Sequence, residues 1–232
     1  MGRPFPAESV APPAEGRGNA QPLEDGHRAE VEEDTRRLNW LFLVPDEPET
    51  LLLLPVGPEH PSGALVADPS TLTALLKGGP YPAVAAPDLT AWAVRTRWGA
   101  GRLLHRLAEA VGPGGWLYAG FSNPLFPARP FARGSIRMRS ALRTVRAAGL
   151  TETQSYLPFP SAACPAYFVS AGAAELDYFL RRLAFPYGDH SNTRGRLGKR
   201  LLRPMLRIAV RTPRAARAGF APAGAILARR PA

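Results

Sequence analysis

From residue 39 onward, short apolar runs alternate with amphipathic or polar segments along the chain. Apolar runs of this length, bounded by proline or glycine, predict buried strands. The strands expected on this basis are 39–44, 50–56, 63–67, 84–86, 116–121, 150–156, 167–169 and 224–229. Apolar residues spaced three and four apart predict amphipathic helices between them. The helices expected are 71–77, 103–111, 140–148 and 173–185.

Two of these helices are followed directly by glycine and then by a strand. The first leads into the Gly-Pro-Gly-Gly sequence at 112–115, and the second stops at Gly149. Glycine just past a helix supplies the left-handed backbone that closes the last turn. Helix–glycine–strand units in tandem predict an α/β fold with a doubly wound, mostly parallel sheet.

Composition divides the chain into three parts. Residues 1–36 are rich in Pro, Gly, Ala and Glu and poor in large apolar side chains, so we expect a disordered acidic arm. Residues 37–172 carry the apolar pattern of the α/β core. Residues 173–232 are expected to form a helical basic extension that includes the closing strand at 224–229.

The charge is unevenly distributed over a chain whose net charge is +10. Residues 1–49 carry −6, residues 50–190 carry +5, and residues 191–232 carry +11. In the C-terminal part, arginines recur every three or four residues among leucines, which predicts a basic amphipathic helix. We expect it to pack on the domain, with weak contact to anionic surfaces. It is not expected to be a dedicated nucleic-acid site, because aromatic residues for base stacking are missing between Tyr187 and Phe220.

Several kinds of site are excluded by the residues available. One cysteine, Cys164, allows no internal disulfide. No set of His, Asp and Glu has metal-ligand spacing, and neither a phosphate-binding P-loop nor a Gly-x-Ser-x-Gly elbow is present. No apolar run is long enough to span a membrane, and the first thirty residues lack the apolar core of a signal peptide. The expected location is the cytoplasm.

About fifty residues resemble the C-terminal half of class I S-adenosylmethionine-dependent methyltransferases. The resemblance is carried by LAEAVGPGGWLYAGFSN and LRTVRAAGLTETQSYLPFP, in this order. It implies a Rossmann-like methyltransferase fold and S-adenosylmethionine as the cofactor. In that family the first strand ends in a glycine-rich loop; the matching position here reads LLLLPVGP, which places Pro55 and Gly57 at the cofactor. Pro55 and Pro58 depart from the pattern, because proline lacks an N–H donor and has a fixed φ.

The resemblance also points to two carboxylates. Asp68, at the end of GALVAD, matches the acid that binds the ribose hydroxyls, and Asp88 matches the polar residue after the fourth strand. Each has a structural alternative. Asp68 is equally suited to cap the helix that follows it, and Asp88 to begin the helix after the Pro-Asp pair.

The substrate side is expected at Ser122 and Asn123, which follow the strand 116–121. Residues at the carboxyl ends of parallel strands line the ligand crevice. His190 lies in a compact polar cluster, where it is either a general base or part of a surface loop. No catalytic residue is identified.

The leading hypothesis is therefore a divergent methyltransferase acting on a small molecule or peptide. The Pro- and Arg-rich composition suggests a bacterial chain, with a role in secondary or cell-envelope metabolism. The alternative is a methyltransferase-like domain without cofactor that serves as a scaffold or as the partner subunit of a biosynthetic complex.

Overall fold

A computed structural model describes residues 39–44, 51–52, 65–126, 133–171, 173–179 and 221–232. Within these ranges the strands form one sheet. They are β1 (Leu51–Leu52), β2 (Leu65–Val66), β3 (Tyr81–Ala86), β4 (Val111–Ser122), β5 (Glu152–Phe159), β6 (Tyr167–Ser170) and β7 (Ala223–Arg229). The helices are α1 (Leu72–Gly78), α2 (Leu89–Arg95), α3 (Ala100–Glu109), α4 (Met138–Ala147) and α5 (Ala173–Tyr178). None of these helices is long and apolar enough to cross a bilayer.

The sheet has the strand order β2-β1-β3-β4-β7-β5-β6. The pairings from β2 to β4 are parallel, whereas β7 is antiparallel to both β4 and β5, and β6 is antiparallel to β5. The expectation of an α/β sheet is confirmed, but the expectation that it is mostly parallel is wrong. The sheet is mixed because the chain enters β7 at Pro222, beside Asn123 at the carboxyl end of β4, and must run back along it.

The closing strand expected at 224–229 is β7, and it lies inside the sheet. The sequence assigned this strand to the C-terminal extension; in the structure it pairs along its length with β4 and β5. Its residues from Ala223 to Ala228 are all buried, as expected for a strand with neighbours on both sides and packing on both faces. The remainder of the helix predicted at 173–185 extends beyond the described residues.

Alternating side chains of the strands supply two apolar clusters, one on each face of the sheet. Val84, Leu117 and Ile226 belong to the larger cluster, which also receives apolar residues from α1 to α4. Ala85 and Tyr118 belong to the cluster on the opposite face. Within the described ranges, therefore, the four helices from α1 to α4 contribute to one side of the sheet.

The other face is covered by a segment that the sequence predicted to be a strand. Asn39–Leu43 is instead a 3-10 helix, in which Trp40 is buried. The Trp40 ring stacks on Tyr118, with ring centroids 5.3 Å apart. An apolar run this short does not distinguish a strand from a helical turn. Here the wide indole occupies the space above Tyr118, and the run lies across the sheet rather than in it.

The glycine-rich sequence at 112–115 forms an irregularity within β4. Tyr81 pairs with Val111 and Ala83 pairs with Trp116, so the four residues between Val111 and Trp116 lie opposite Pro82 alone. Such a bulge was not anticipated from the sequence, which predicted a turn before the strand. Gly149, in contrast, ends α4 as predicted, with a φ of +89°.

Arg230 joins β7 to the ends of two helices. Its Nη2 donates to the carbonyl oxygens of Ala108, at 2.8 Å, and Ala148, at 3.0 Å. These carbonyls lie at the C-terminal ends of α3 and α4, where the helix dipole concentrates negative partial charge. The guanidinium therefore supplies a charged donor to one carbonyl at the end of each helix, and it joins both helices to the residue that follows β7.

We predict that Arg230→Met destabilises the protein by about 2–4 kcal/mol, because two partly buried carbonyls lose a charged donor. Arg229→Met is the matched control. Arg229 is exposed; it lies over the Trp116 ring and 3.9 Å from Glu152, and its Nε donates to the Gly114 carbonyl at 3.2 Å. In contact with solvent, these interactions together contribute about 1 kcal/mol. Urea unfolding of both variants measures the difference. Equal losses for the two arginines would contradict the role assigned to Arg230.

Candidate functional site

The strand order reverses between β1 and β3. The chain passes from β1 to β2 on one side and then crosses back to β3 on the other. In open α/β sheets, ligands bind outside the carboxyl ends of the strands at such a reversal. The segment after β3, which contains Asp88, lies at this reversal. This places Asp88 at the position where the topology favours a ligand.

Asp88 caps helix α2 and is partly buried. Its Oδ1 accepts a hydrogen bond from the backbone N–H of Ala91 at 3.0 Å. Burial raises the pKa of the Asp88 carboxyl, and the Ala91 N–H and the positive charge of Arg95 oppose this rise. Asp88 therefore begins the helix that follows it, which was the structural alternative predicted from the sequence. Its assignment to the cofactor, which the family resemblance implies, remains a prediction.

Asp68 follows β2 and is exposed to solvent. Its Oδ1 accepts from the backbone N–H groups of Ser70 at 2.7 Å and Thr71 at 3.1 Å. The Ser70 hydroxyl, followed by these N–H groups, lowers the pKa of the Asp68 carboxyl. Asp68 therefore organises the turn that leads into α1, in line with its structural alternative. Its assignment to the ribose remains a prediction.

Ser122 and Asn123 lie at the carboxyl end of β4, as predicted. The Asn123 side chain donates from Nδ2 to the carbonyl of Ala221 at 2.8 Å, and its Oδ1 accepts from the Leu125 N–H at 3.0 Å. Asn123 thereby fixes the entry to β7. The Ser122 backbone N–H donates to the Thr90 hydroxyl at 2.8 Å. This bond connects the end of β4 to the first turn of α2 and brings Ser122 close to the Asp88 segment.

Close backbone contacts hold these loops together. A Cβ on Gly120 would collide with the carbonyl oxygen of Pro87. Gly134 has a φ of +75°, and a Cβ there would lie 2.6 Å from the carbonyl oxygen of Thr90. These glycines and Thr90 were not predicted from the sequence as part of the site. A glycine inside an apolar strand, as at Gly120, is itself a signal of close backbone approach.

An open groove of about 500 Å³ lies between β6 and α5. Phe168, Val169, Tyr178 and Phe179 form its mostly apolar lining, with Glu175 as an acidic residue. Val169 and Phe179 share an apolar cluster with Ala221, whose carbonyl accepts the hydrogen bond from Asn123. Because β6 is the edge strand and lies three strands from β4, the groove is separate from the loops at Asp88 and Ser122. It was not predicted from the sequence.

Three of the predicted site residues lie outside the described ranges. Pro55 and Gly57 belong to the segment after β1, and His190 belongs to the segment after α5. The structure brings Asp88, Ser122 and Asn123 to one edge of the sheet, and it places Asp68 in a turn after β2. The cofactor and substrate roles of all seven residues remain predictions.

No protein-family model and no curated protein sequence matches the chain. Among solved structures, it is similar to a SAM-dependent methyltransferase from Thermotoga maritima, described as a possible histamine N-methyltransferase, at 11% identity and a TM-score of 0.45, over 90% of this chain and 95% of the other. It is also similar to a SAM-dependent methyltransferase from Archaeoglobus fulgidus at 14% identity and a TM-score of 0.44, over 90% and 98%. The [4+2]-cyclase SpnF matches at 14% identity and a TM-score of 0.35, over 94% and 85%. At these identities and scores, the likeness carries no information on activity.

The raised pKa of Asp88 has a defined effect on stability. Burial disfavours the ionised carboxyl in the folded state, so the folded protein is more stable while Asp88 is protonated. This stabilisation is fully present below the ordinary pKa of about 3.9 and is lost as the pH rises through the folded-state pKa. Asp88→Asn keeps a residue suited to capping but cannot ionise. We therefore predict that this variant gains stability relative to the wild type between about pH 4 and pH 7.

Asp88→Ala provides the control, because it removes both the charge and the cap. It should lose about 1 kcal/mol through the missing cap when compared with Asp88→Asn at either pH. Urea unfolding of the three proteins at the two pH values measures both effects. If the stability of Asp88→Asn relative to the wild type does not change between the two pH values, burial of the Asp88 charge is not the source.

Proposed function

We propose that the protein is a divergent S-adenosylmethionine-dependent methyltransferase. The observation that carries the proposal is the reversal of strand order between β1 and β3, with the partly buried Asp88 at the carboxyl end of β3. This is the place where open α/β sheets bind ligands. The sequence resemblance over the stretches that contain α3–β4 and α4–β5 supports the same family.

The described residues fit such a cofactor in part. The Asp88 carboxylate uses Oδ1 to cap α2, and Oδ2 is a second acceptor for a donor on the nucleoside. Asp68 has the same capacity, since the hydrogen bonds with Ser70 and Thr71 engage its Oδ1. Gly57 would allow backbone approach to the amino-acid end of the cofactor. Pro55 would offer no N–H there, which weakens the fit at that point.

When bound, the cofactor would supply an electrophilic methyl group. The contribution of the protein would be to hold the acceptor in line and to exclude water, which requires few dedicated side chains. The Ser122 hydroxyl is the substrate-side group nearest to the Asp88 segment along this edge, because its backbone is bonded to Thr90. The acceptor would be a small molecule or a peptide. A role in bacterial secondary or cell-envelope metabolism is part of this proposal.

One observation favours a second candidate, a scaffold or partner subunit without cofactor. The carboxylate of Asp68 is bonded to its own turn, and the loop after β1 contains prolines where the family has glycines. A domain that had lost its cofactor would keep the sheet and the helix caps, but it would no longer need glycines in the segment after β1. The two candidates differ in whether the crevice binds the cofactor at all.

We predict that isothermal titration calorimetry detects binding of S-adenosylmethionine and its demethylated product to the wild-type chain. Replacing both Pro55 and Pro58 with glycine should strengthen this binding, because it restores N–H donors and backbone freedom. Pro61→Gly is the matched control, since it loosens the same loop at a position outside the family pattern.

Each outcome distinguishes the candidates. Binding to the wild type supports the methyltransferase. Binding that appears only in the double glycine variant, and not in Pro61→Gly, supports a domain that has lost its cofactor but kept the rest of the pocket. No binding to any of the three proteins at high micromolar concentration would contradict the methyltransferase proposal.

A further inference from the structure

The middle of the chain contains a second basic region, separate from the C-terminal part. Residues 95–149 include ten arginines, no lysine and a single acidic residue, Glu109, so this stretch alone carries +9. The acidic residues elsewhere in 50–190 reduce the total for that part to +5. The excess positive charge of the described core is thus concentrated in and around α3 and α4.

Helices α3 and α4 lie side by side with their ends level. Near their starts, a Cβ on Gly101 in α3 would be 3.9 Å from Ile136, just before α4. At their C-terminal ends, both are bonded to the same guanidinium, that of Arg230. The two helices are therefore neighbours that run in the same direction, and both contribute to the apolar cluster on one face of the sheet.

Exposed arginines occupy the outer side of these two helices. They are spaced three or four residues apart, which places them in a row along each helix. They are Arg102 and Arg106 on α3, and Arg139, Arg143 and Arg146 on α4. We call these five residues the arginine face.

The contacts of the arginine face leave most of its charge uncompensated. Arg106 pairs with Glu109 at 3.2 Å. Arg143 and Arg146 lie 3.5 and 3.4 Å from the hydroxyls of Ser140 and Thr153, which are neutral. Arg102 lies over the ring of Trp98, 5.6 Å from its centroid. Among the residues that the structure describes, a single carboxylate therefore pairs with the five guanidinium groups.

The shape of the face decides between anionic partners. A single nucleic-acid strand binds to open aromatic rings, but the Trp98 ring is covered by Arg102. A duplex is a cylinder, whereas the described arginines lie in two neighbouring rows on parallel helices. A bilayer presents a plane of phosphate groups, which two level rows of arginines can contact together. Clusters of four to eight basic residues on helices are typical of binding to anionic lipids.

We propose that the arginine face binds the surface of membranes that contain anionic phospholipids. The binding is peripheral and electrostatic, with guanidinium groups donating to lipid phosphates. It does not depend on the methyltransferase proposal, since none of the five arginines lies in the crevice at Asp88. It also differs from the contact expected for the C-terminal basic segment, because it uses the folded core.

The test is co-sedimentation of the full chain with vesicles of phosphatidylcholine containing about 30% phosphatidylglycerol, and with vesicles of phosphatidylcholine alone. The face variant carries Arg139→Gln, Arg143→Gln and Arg146→Gln, which keep good helix formers in α4. The matched control carries Arg203→Gln, Arg207→Gln and Arg211→Gln and has the same net charge. A second face variant, Arg102→Gln with Arg106→Gln, tests α3 independently, and circular dichroism verifies that each variant is folded.

We expect the wild type to pellet with the anionic vesicles at about 50 mM salt and to be released at about 500 mM. The α4 face variant should bind about 100-fold more weakly, and the α3 variant about 10-fold, whereas the control should change less than about 5-fold. Equal losses in the α4 variant and the control, a loss in the control alone, or equal pelleting with neutral vesicles would overturn the proposal. So would arginine-dependent binding to duplex DNA without binding to anionic vesicles.

Discussion

The contact of Arg230 with the ends of α3 and α4 is the interaction on which the rest of the structure depends. Arg230 follows directly after β7, the strand that pairs with β4 on one side and β5 on the other. Two helices, two halves of the sheet and the strand between them are thus joined within a few residues of sequence. The negative ends of two helix dipoles would lie close together here without a cation, and the guanidinium makes their adjacency favourable.

At the opposite edge of the sheet, small residues and short polar side chains hold the loops in place. Gly120 allows the Pro87 carbonyl to pass close to β4, and Thr90 receives the hydrogen bond of the Ser122 N–H. These contacts leave little freedom to the segment that presents Asp88. The Asp88 carboxylate is therefore held twice, by the backbone contacts of its segment and by the hydrogen bond that its Oδ1 accepts from the Ala91 N–H.

The elements that were predicted correctly have local signals. Gly149 ended α4 because a left-handed residue after an amphipathic helix is a local requirement. The place of β7 in the sheet was not predictable in the same way, since burial on both faces identifies a strand but not its neighbours. The same limit applies to Thr90 and Ser122, which meet across 32 residues of sequence. The strand predicted at 39–44 was wrong for a different reason: one indole ring, that of Trp40 stacked on Tyr118, determines the conformation of this segment.

The central position of β7 has a consequence for the order of folding. In the finished sheet, β7 lies between β4 and β5 and pairs with both. Until β7 has been synthesised, the edge of each strand that will pair with β7 therefore has no partner. During translation, two hydrophobic strand edges therefore wait while β6, α5 and residues 180–220 are added. Unpaired edges of this kind associate readily with other chains. Newly made protein thus passes through a stage in which assistance from a chaperone, or rapid completion of the chain, determines whether the sheet closes on itself.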